Sequence, residues 1–386
     1  MRIIETTEEL NQFCSVLESH PFITVDLEFH REKTYYAKLG LIQVACTEDE
    51  AIIDPLAPGL NLGAFFQILN NPAVVKVFHS CRQDIEILYL MTGKIPSPLF
   101  DTQVAAQVCG FGSSISYENL VKNILKIELD KSCRLTNWCA RPLDKSQLNY
   151  AIADVTHLVH IYEHLHREID NSGRGHWIDE EMSVLTDPKT YLINPREIWQ
   201  RLKHHSHNPK YLTVLRELAA WREQRAQDKD IPRQSVIKDD CLLNIAATCP
   251  HDVQALGQIR NIRRDILNGR LAQEIVNIVL AAEQLPHSEY VKIPREKRLN
   301  IPGELVELLK LLLNIKSQKE RVVARLIASE DDLKLFAAGL DDNLAMLKGW
   351  RYDIFGREAC ELREGHLSIS YNKARQSIDI VPLEHS

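Results

Sequence analysis

Hydrophobic and polar positions follow two different periods along the first 170 residues of the chain. Short apolar runs rich in β-branched residues predict strands at 22–27, 40–46, 51–54 and 74–79. A period of about 3.6 residues predicts helices at 7–18, 61–70, 82–91, 102–109, 116–125 and 146–167. Short connections join the first three strands and favour an antiparallel meander, whereas the fourth strand follows a helix. The pattern therefore predicts an α/β domain with a mixed sheet flanked by helices.

The pattern changes after a cluster of helix-breaking residues at 171–175, Asn-Ser-Gly-Arg-Gly. From residue 206 onward strand-like runs nearly disappear. Helices are predicted there at 211–228, 239–248, 252–257, 262–283, 302–317, 319–326, 330–339 and 344–348. A proline-containing stretch at 285–294 divides them into two groups, which could be distant copies of one module. The predicted organisation is an α/β domain at 1–170, a linker at 171–205, a helical-bundle domain at 206–287, a linker at 288–298 and a second helical-bundle domain at 299–375.

Composition narrows the class of protein. No apolar run approaches the ~20 residues that a membrane span requires, so we expect no membrane partner. The first residues are acidic and lack the apolar core of a signal peptide. Nine cysteines, an odd number without a C-x-x-C pair, favour reduced thiols in a cytoplasmic protein.

Charge is distributed unevenly within a net charge of −7. Residues 1–200 hold 17 basic and 27 acidic side chains, whereas residues 201–300 hold 17 basic and 12 acidic ones. This division fits a carboxylate-rich site that holds metal and a separate basic region that binds phosphates. Chance variation would also produce an excess of this size, so the charge pattern alone decides little.

Two carboxylates share one face of the first predicted strand. Residues 22–30 read Phe-Ile-Thr-Val-Asp-Leu-Glu-Phe-His, with apolar residues at the odd positions from 23 to 29. A period of two therefore places Asp26 and Glu28 on the same face. Because adjacent carboxylates repel each other, a divalent cation with oxygen ligands is an economical partner for them. The alternative is a solvent-facing strand with two exposed acids.

Further polar residues accompany this pair. Asp84 is expected in the first turn of a helix, where the helix dipole alone would also favour an acid. Asp101 precedes another helix, and an N-cap role suffices for it. Tyr150 and Asp154 lie one turn apart on a later helix, facing away from its apolar stripe, although an exposed pair would show the same spacing.

Taken together, the four acids and the tyrosine suggest phosphodiester hydrolysis. Two metal ions held by carboxylates can activate a water and stabilise the leaving oxygen, and a tyrosine hydroxyl can orient that water or help to take its proton. The sequence contains no G-x-x-x-x-G-K-[ST], G-x-S-x-G or H-E-x-x-H motif. Readings as a P-loop NTPase, an α/β-hydrolase or a zincin therefore have no support.

The motifs in this order resemble the ribonuclease D family, in the tyrosine-containing branch of the DEDD exonuclease superfamily. The first is Val-Asp-Leu-Glu-Phe-His-Arg at 25–31, the second is His-Ser-Cys-Arg-Gln-Asp at 79–84, and the third ends in Tyr-Ala-Ile-Ala-Asp-Val at 150–155. Residues 206–287 resemble the HRDC helical domain, most clearly at 218–226, and residues 299–375 resemble a divergent second copy, most clearly at 347–356. Asn137 and His157 depart from the family pattern, where Asp and Tyr are usual.

The resemblance implies a ribonuclease H-like fold and a 3′-to-5′ exoribonuclease that releases nucleoside 5′-monophosphates from RNA. Asp26, Glu28, Asp84 and Asp154 would hold two divalent ions, Mg²⁺ or Mn²⁺, and Tyr150 would position the attacking water. The expected partner is RNA with a single-stranded 3′ end, in particular tRNA precursors and other small stable RNAs. Nothing in the pattern requires more than a monomer.

Substrate contacts are less specific in the sequence. We expect them from Leu27, Gln43, His79 and Arg141, for each of which packing or surface exposure is an alternative. Lys131 and Arg134 could bind phosphate, and the aromatic residues Tyr35, Tyr36 and Trp138 could stack on bases. The arginines at 260, 263, 264 and 270 form a further candidate phosphate-binding cluster.

Two other functions remain open at this level. One is a DNA exonuclease with the same chemistry. The other is a non-catalytic RNA-binding scaffold built on the same fold, against which the retention of four mutually repelling carboxylates argues.

Overall fold

A six-stranded mixed sheet forms the centre of the N-terminal region in the computed structural model, which describes residues 2–130, 136–292 and 300–383. Its strands are β1 Arg2–Ile4, β2 Phe22–His30, β3 Lys38–Ala45, β4 Glu50–Ile53, β5 Val75–Phe78 and β6 Leu99–Asp101. The spatial order is β1-β4-β3-β2-β5-β6. The predicted antiparallel meander β2-β3-β4 is confirmed, and β5 pairs with β2 in parallel. Strands β1 and β6 were not predicted, because three residues are too few to show a period.

Helices cover both faces of this sheet. They are α1 Thr7–Leu17, α2 Gly63–Leu69, α3 Arg82–Thr92, α4 Thr102–Val108, α5 Tyr117–Leu125 and α6 Lys145–Ser172. Apolar residues of β2 pack with α1, α2 and α3 in one core. The 28-residue helix α6 crosses the other face, where the Thr24 hydroxyl donates to the Val155 carbonyl at 2.9 Å. Strand β2 therefore lies at the centre of the domain with one face turned towards α6.

The segment predicted as a linker at 171–205 contains ordered elements. Helix α7, Gly175–Thr186, is followed by 3₁₀ turns at Pro188–Thr190 and Pro195–Arg201. Trp177 of α7 stacks on Trp350 with ring centroids 4.3 Å apart, and Ile198 and Trp199 enter the core of the next domain. The segment thus connects the domains by packing against two of them.

The first helical region has a core of its own. It comprises α8 Pro209–Asp228, α9 Arg233–Val236, α10 Asp239–Thr248, α11 Val253–Leu256, α12 Arg264–Leu267 and α13 Arg270–Glu283. Tyr35, from the loop between β2 and β3, also enters this core. The α/β and helical regions are therefore in direct contact near the end of β2.

The second helical region shares a core with α4–α7. It comprises α14 Gly303–Glu320, α15 Ala324–Ile327, α16 Glu330–Ala337, α17 Gly349–Arg351, a π-helical turn at Tyr352–Gly356 and α18 Arg357–Arg363. The chain then forms an antiparallel hairpin, β7 Leu367–Asn372 with β8 Ser377–Pro382, where the sequence pattern predicted no strand. The two strands are largely exposed and so lack a strong apolar alternation.

In the part of the chain that the structure describes, no helix has the length and apolarity that crossing a membrane would take. The eight cysteines within the described ranges are free thiols.

Candidate active site

An open cleft of about 990 Å³ lies beside the end of β2. Four carboxylates from three elements line it: Asp26 and Glu28 from β2, Asp84 from the first turn of α3, and Asp154 from α6. Carboxylate oxygens of Asp26, Glu28 and Asp154 lie within 4.8 Å of one another. Asp84 lies outside that group of three, but it is close enough for the charge of Asp26 to add to burial in raising the pKa of Asp84. The structure therefore brings together acids that are up to 128 residues apart in the sequence.

Strand β2 places its two acids by simple alternation. Ile23 and Val25 are fully buried in the core with α1–α3, so Asp26 and Glu28 project from the opposite face, towards α6. The pairing of β2 with β3 shifts just after Glu28. Such a bulge twists a strand locally and is common beside active sites.

Asp101 fixes the turn that delivers Asp84. Its carboxylate accepts the backbone N–H groups of Ser80 at 3.0 Å and Cys81 at 2.8 Å, and it also caps α4, which confirms the predicted N-cap role. Ser80 has a φ of 58°, in the left-handed region. The accepted bonds offset the cost of this conformation and direct the chain into α3.

Helix α6 carries the other half of the site. Asp144 and Gln147 form a capping box that fixes its start. Tyr150 and Asp154 follow one turn apart, and the Tyr150 hydroxyl is near enough to the Asp154 carboxylate to lower its pKa against the larger effect of burial. The Tyr150 ring packs 6.0 Å from that of Trp138, so its position is restrained.

Burial and mutual repulsion make these carboxylates hold their protons. Burial raises the pKa of Asp26 to about 7. Burial and the charges of Asp26, Asp154 and Asp84 raise the pKa of Glu28 to about 10. The pKa of Asp154 rises to about 9 by burial and by the charge of Asp26, and burial raises that of Asp84 well above its usual range. The cluster is therefore unfavourable as a set of four free anions.

The donor set fits a divalent metal. The grouped side chains offer carboxylate oxygens, which are the ligands that Mg²⁺ and Mn²⁺ prefer. A bound cation would favour the charged form of each acid and reverse the effect of burial. Metal binding should accordingly release protons and strengthen as pH rises.

This linkage predicts how stability depends on pH. The raised folded-state pKa values mean that the metal-free protein binds more protons when folded, so its stability falls as pH rises from about 4 towards about 9. We expect saturating Mg²⁺ to raise the melting temperature more at about pH 9 than at about pH 6, by about 2–4 °C. Glu28→Gln should reduce both the pH dependence and the Mg²⁺ effect in thermal melts, whereas Glu163→Gln on the exposed side of α6 should leave them unchanged. An equal Mg²⁺ effect at both pH values would contradict the linkage.

Two of the predicted substrate contacts line the cleft. Leu27 lies between the two acids of β2, but its side chain is 3% exposed in the core with α1–α3. Its backbone N–H lowers the pKa of Asp26 against the larger effect of burial. His79 lies at the end of β5, with Nδ1 3.0 Å from the Thr102 hydroxyl and its ring 5.5 Å from that of Tyr117. Burial lowers the pKa of His79, which favours a neutral ring.

The other two predicted contacts lie elsewhere. Gln43 is directly opposite Asp26 on β3 but is 0% exposed, beneath the cleft floor rather than in the cleft. The Arg141 guanidinium forms a two-point ion pair with Asp54 at 2.6 and 2.7 Å and donates to the Gly40 carbonyl at 2.7 Å. These bonds give Arg141 a structural role, because they occupy its donors away from the cleft.

The aromatic and basic residues proposed as RNA contacts also differ in exposure. Trp138 is buried, and Tyr35 is 5% exposed in the contact with the helical domain, so neither is a free stacking platform. The arginines at 260, 263, 264 and 270 are all exposed, and Arg263 also donates to the Ser235 carbonyl. Lys131 and Arg134 lie outside the described residues.

Tyr117 and Arg31 are among the cleft residues that sequence reasoning did not single out. Tyr117 lines the cleft, and its hydroxyl donates to the Ala153 carbonyl at 3.0 Å, which braces α5 against α6. Arg31 lines the cleft just beyond β2. Its place in the first motif, directly after β2 and three residues beyond Glu28, was the available signal.

Comparison with known proteins agrees with this geometry. Residues 1–170 match a family model described as 3′-5′ exonuclease, and residues 212–279 match the HRDC domain. The chain is 42% identical over 369 residues to ribonuclease D of Granulibacter bethesdensis, covering 95% of this chain and 93% of that protein. It is 44% identical over 380 residues to ribonuclease D of Sphingobium indicum, covering 97% of each. The crystal structure of Escherichia coli RNase D, described as an exoribonuclease involved in structured RNA processing, superposes with a TM-score of 0.81 at 27% identity, covering 95% of this chain and 99% of that one.

The mixed sheet, the acid cluster and the helical regions define an exonuclease of the 3′-5′ class joined to an HRDC domain. The chain belongs to the ribonuclease D family and is an exoribonuclease.

Proposed function

We propose that the chain removes nucleotides one at a time from the 3′ end of RNA and releases nucleoside 5′-monophosphates. The observation that carries the proposal is the convergence of Asp26, Glu28 and Asp154 oxygens within 4.8 Å, with Asp84 beside them, in an open cleft. These four acids would hold two divalent ions, Mg²⁺ or Mn²⁺. When bound, such ions supply activation of the attacking water and stabilisation of the leaving oxygen.

The chain's own residues would orient the reactants. Burial and the charges of Asp154 and Glu28 raise the pKa of Tyr150, so its phenol stays protonated at neutral pH. It is therefore suited to position the attacking water through its hydroxyl rather than to remove a proton as a phenolate. His79 and the backbone of Leu27 would contact the terminal nucleotide from the cleft wall.

In this proposal the reaction takes place in the exonuclease domain at 1–170. The helical domains at 206–287 and 299–375 assist in RNA binding. The four acids are buried or half-buried at the base of the cleft, so the reacting phosphate must belong to an unpaired end. Precursors of tRNA and other small stable RNAs carry such ends. The E. coli relative's description as an enzyme of structured RNA processing supports this substrate class. We further propose that the enzyme acts as a monomer, since the cleft is built from one chain.

Product analysis on a tRNA with extra 3′ nucleotides tests the proposal. With Mg²⁺ we expect stepwise shortening and release of nucleoside 5′-monophosphates, and EDTA should abolish both. A DNA of the same sequence should compete poorly, and preferential cleavage of DNA would favour the alternative exonuclease. Binding of RNA without release of any mononucleotide, in Mg²⁺ or in Mn²⁺, would instead favour the non-catalytic scaffold.

A further inference from the structure

Arg31 contributes a guanidinium to a cleft that several acids line. Among the described residues that line the cleft, seven are Asp or Glu, and Arg31 is the only lysine or arginine. Divalent ions at the four acids would neutralise the phosphate that reacts, but RNA also brings further phosphates. Arg31 lies three residues beyond Glu28, about 10 Å along an extended chain, so it is placed for a neighbouring phosphate rather than the reacting one.

The terminal nitrogens of the Arg31 guanidinium form a partly exposed ion pair with Glu86. Arg31 Nη2 lies 3.2 Å from Glu86 Oε1 and its Nη1 lies 3.4 Å from Glu86 Oε2, and both side chains are more than a quarter exposed. Partly exposed ion pairs of this kind contribute little to stability. A phosphate, which accepts two parallel bonds from guanidinium, can therefore replace Glu86 at small cost.

The Nε of the same guanidinium is bound to the main chain of its own loop. Arg31 Nε donates to the Tyr35 carbonyl at 2.9 Å. The backbone N–H groups of Tyr35 and Tyr36 both donate to Asp230 at 3.0 Å, at the end of α8 in the helical domain. The loop that carries Arg31 is thus attached to the helical domain through its main chain.

The Tyr35 side chain completes this attachment. Its hydroxyl donates to Glu223 and accepts from Arg233 at 3.0 Å, and the Arg233 guanidinium lies 4.9 Å from the Tyr35 ring centroid. Glu223 is 0% exposed and is paired with Arg233. Burial alone would raise the pKa of Glu223, but hydrogen bonds from Arg233 and Tyr35 outweigh burial and lower it. Glu223 is therefore ionised and fixes both partners.

We infer that Arg31 binds a backbone phosphate of the RNA upstream of the bond that is cut, and that the helical domain holds Arg31 in place through Tyr35. The inference rests on the proposed function and adds a phosphate subsite to it. Arg31 exchanges Glu86 for the phosphate when RNA enters. Tyr35 is a positioning residue, because it acts only through Arg31.

Steady-state kinetics of Arg31→Gln on a single-stranded oligoribonucleotide test the subsite. We expect KM to rise about 10-fold, as for the loss of a charged hydrogen bond, with kcat within about twofold of wild type. Removal of one phosphate contact should also reduce the slope of log(1/KM) against log[salt] by about 0.7. Arg167→Gln is the matched control, since Arg167 is exposed near the C-terminal end of α6 and does not line the cleft.

A second variant, with the opposite expected effect on KM, separates loss of the phosphate contact from misfolding of Arg31→Gln. Glu86→Gln removes the competing carboxylate and should lower KM by about twofold, while a higher KM would contradict the exchange. An unchanged KM and salt slope in Arg31→Gln would overturn the subsite. Failure of the wild-type chain to shorten RNA would instead overturn the proposed function.

Tyr35→Phe tests the positioning role, with Tyr36→Phe as its control. The substitution keeps the ring and the backbone bonds but removes the hydroxyl shared by Glu223 and Arg233. We expect KM to rise about 3-fold, roughly the loss of one neutral hydrogen bond, with a reduced salt slope and an unchanged kcat. A lower melting temperature with wild-type KM and salt slope would show that Tyr35 is only structural.

Discussion

Asp26→Asn and Asp154→Asn should each lower Mg²⁺-dependent trimming of RNA by at least about 10³-fold. Each variant removes one of the carboxylates that meet within 4.8 Å and leaves the shape of the side chain nearly unchanged. RNA binding should persist, because Arg31 and the helical domain do not depend on either acid. Release of labelled mononucleotides measures the first effect, and fluorescence anisotropy of a labelled oligoribonucleotide measures the second.

The stability of these variants separates loss of chemistry from loss of fold. In the metal-free protein the clustered acids repel one another, and burial opposes their ionisation. Replacing one acid by a neutral amide should therefore raise the melting temperature without metal and abolish the Mg²⁺-dependent increase. Asp170→Asn, at an exposed position near the end of α6, should change neither activity nor melting behaviour. Normal trimming by either active-site variant would refute the assignment of the acids.

Local periodicity carried most of the information about the fold. The alternation at 22–30 required Asp26 and Glu28 to share a face, and the structure has them so because Ile23 and Val25 are buried behind them. Tyr150 and Asp154 were placed one turn apart by helical spacing alone, and both line the cleft. The periodicity of hydrophobic residues predicts which face of a strand or helix is buried, because every residue on that face contributes to the pattern.

Partners that are distant in the sequence could not be predicted in this way. Arg141 was expected at the substrate, but its donors are taken by Asp54, 87 residues away. Gln43 has the polarity of a cleft residue, yet the register of β2 with β3 buries it opposite Asp26. Tyr35 looked like a stacking platform until Glu223 supplied a partner for its hydroxyl. In each case a contact with a residue on another element decides whether the side chain faces the substrate. Such contacts leave no periodic pattern in a single sequence.

Tyr150→Phe should lower kcat by about 100-fold, the usual scale for a positioned proton donor or acceptor, while KM changes by less than about twofold. The ring and its packing against Trp138 remain, so only the hydroxyl that lies beside Asp154 and would orient the water is lost. Tyr162→Phe is the matched control, because Tyr162 lies on the same helix with its ring packed against Phe22 and Phe100, away from the cleft.

The pH dependence of kcat separates the two possible roles of the hydroxyl. In the metal-free protein, burial and neighbouring acids raise the pKa of Tyr150, which favours a protonated phenol over the range from about pH 6 to about pH 9. If the hydroxyl orients the water, the wild-type enzyme and Tyr150→Phe should show parallel profiles displaced by a constant factor. If a phenolate removed the proton, the wild-type rate would instead gain about tenfold per pH unit over that range, and the variant would lose this slope. Parallel profiles combined with a large loss of kcat would assign Tyr150 to orientation, whereas a wild-type kcat in Tyr150→Phe would remove it from the mechanism.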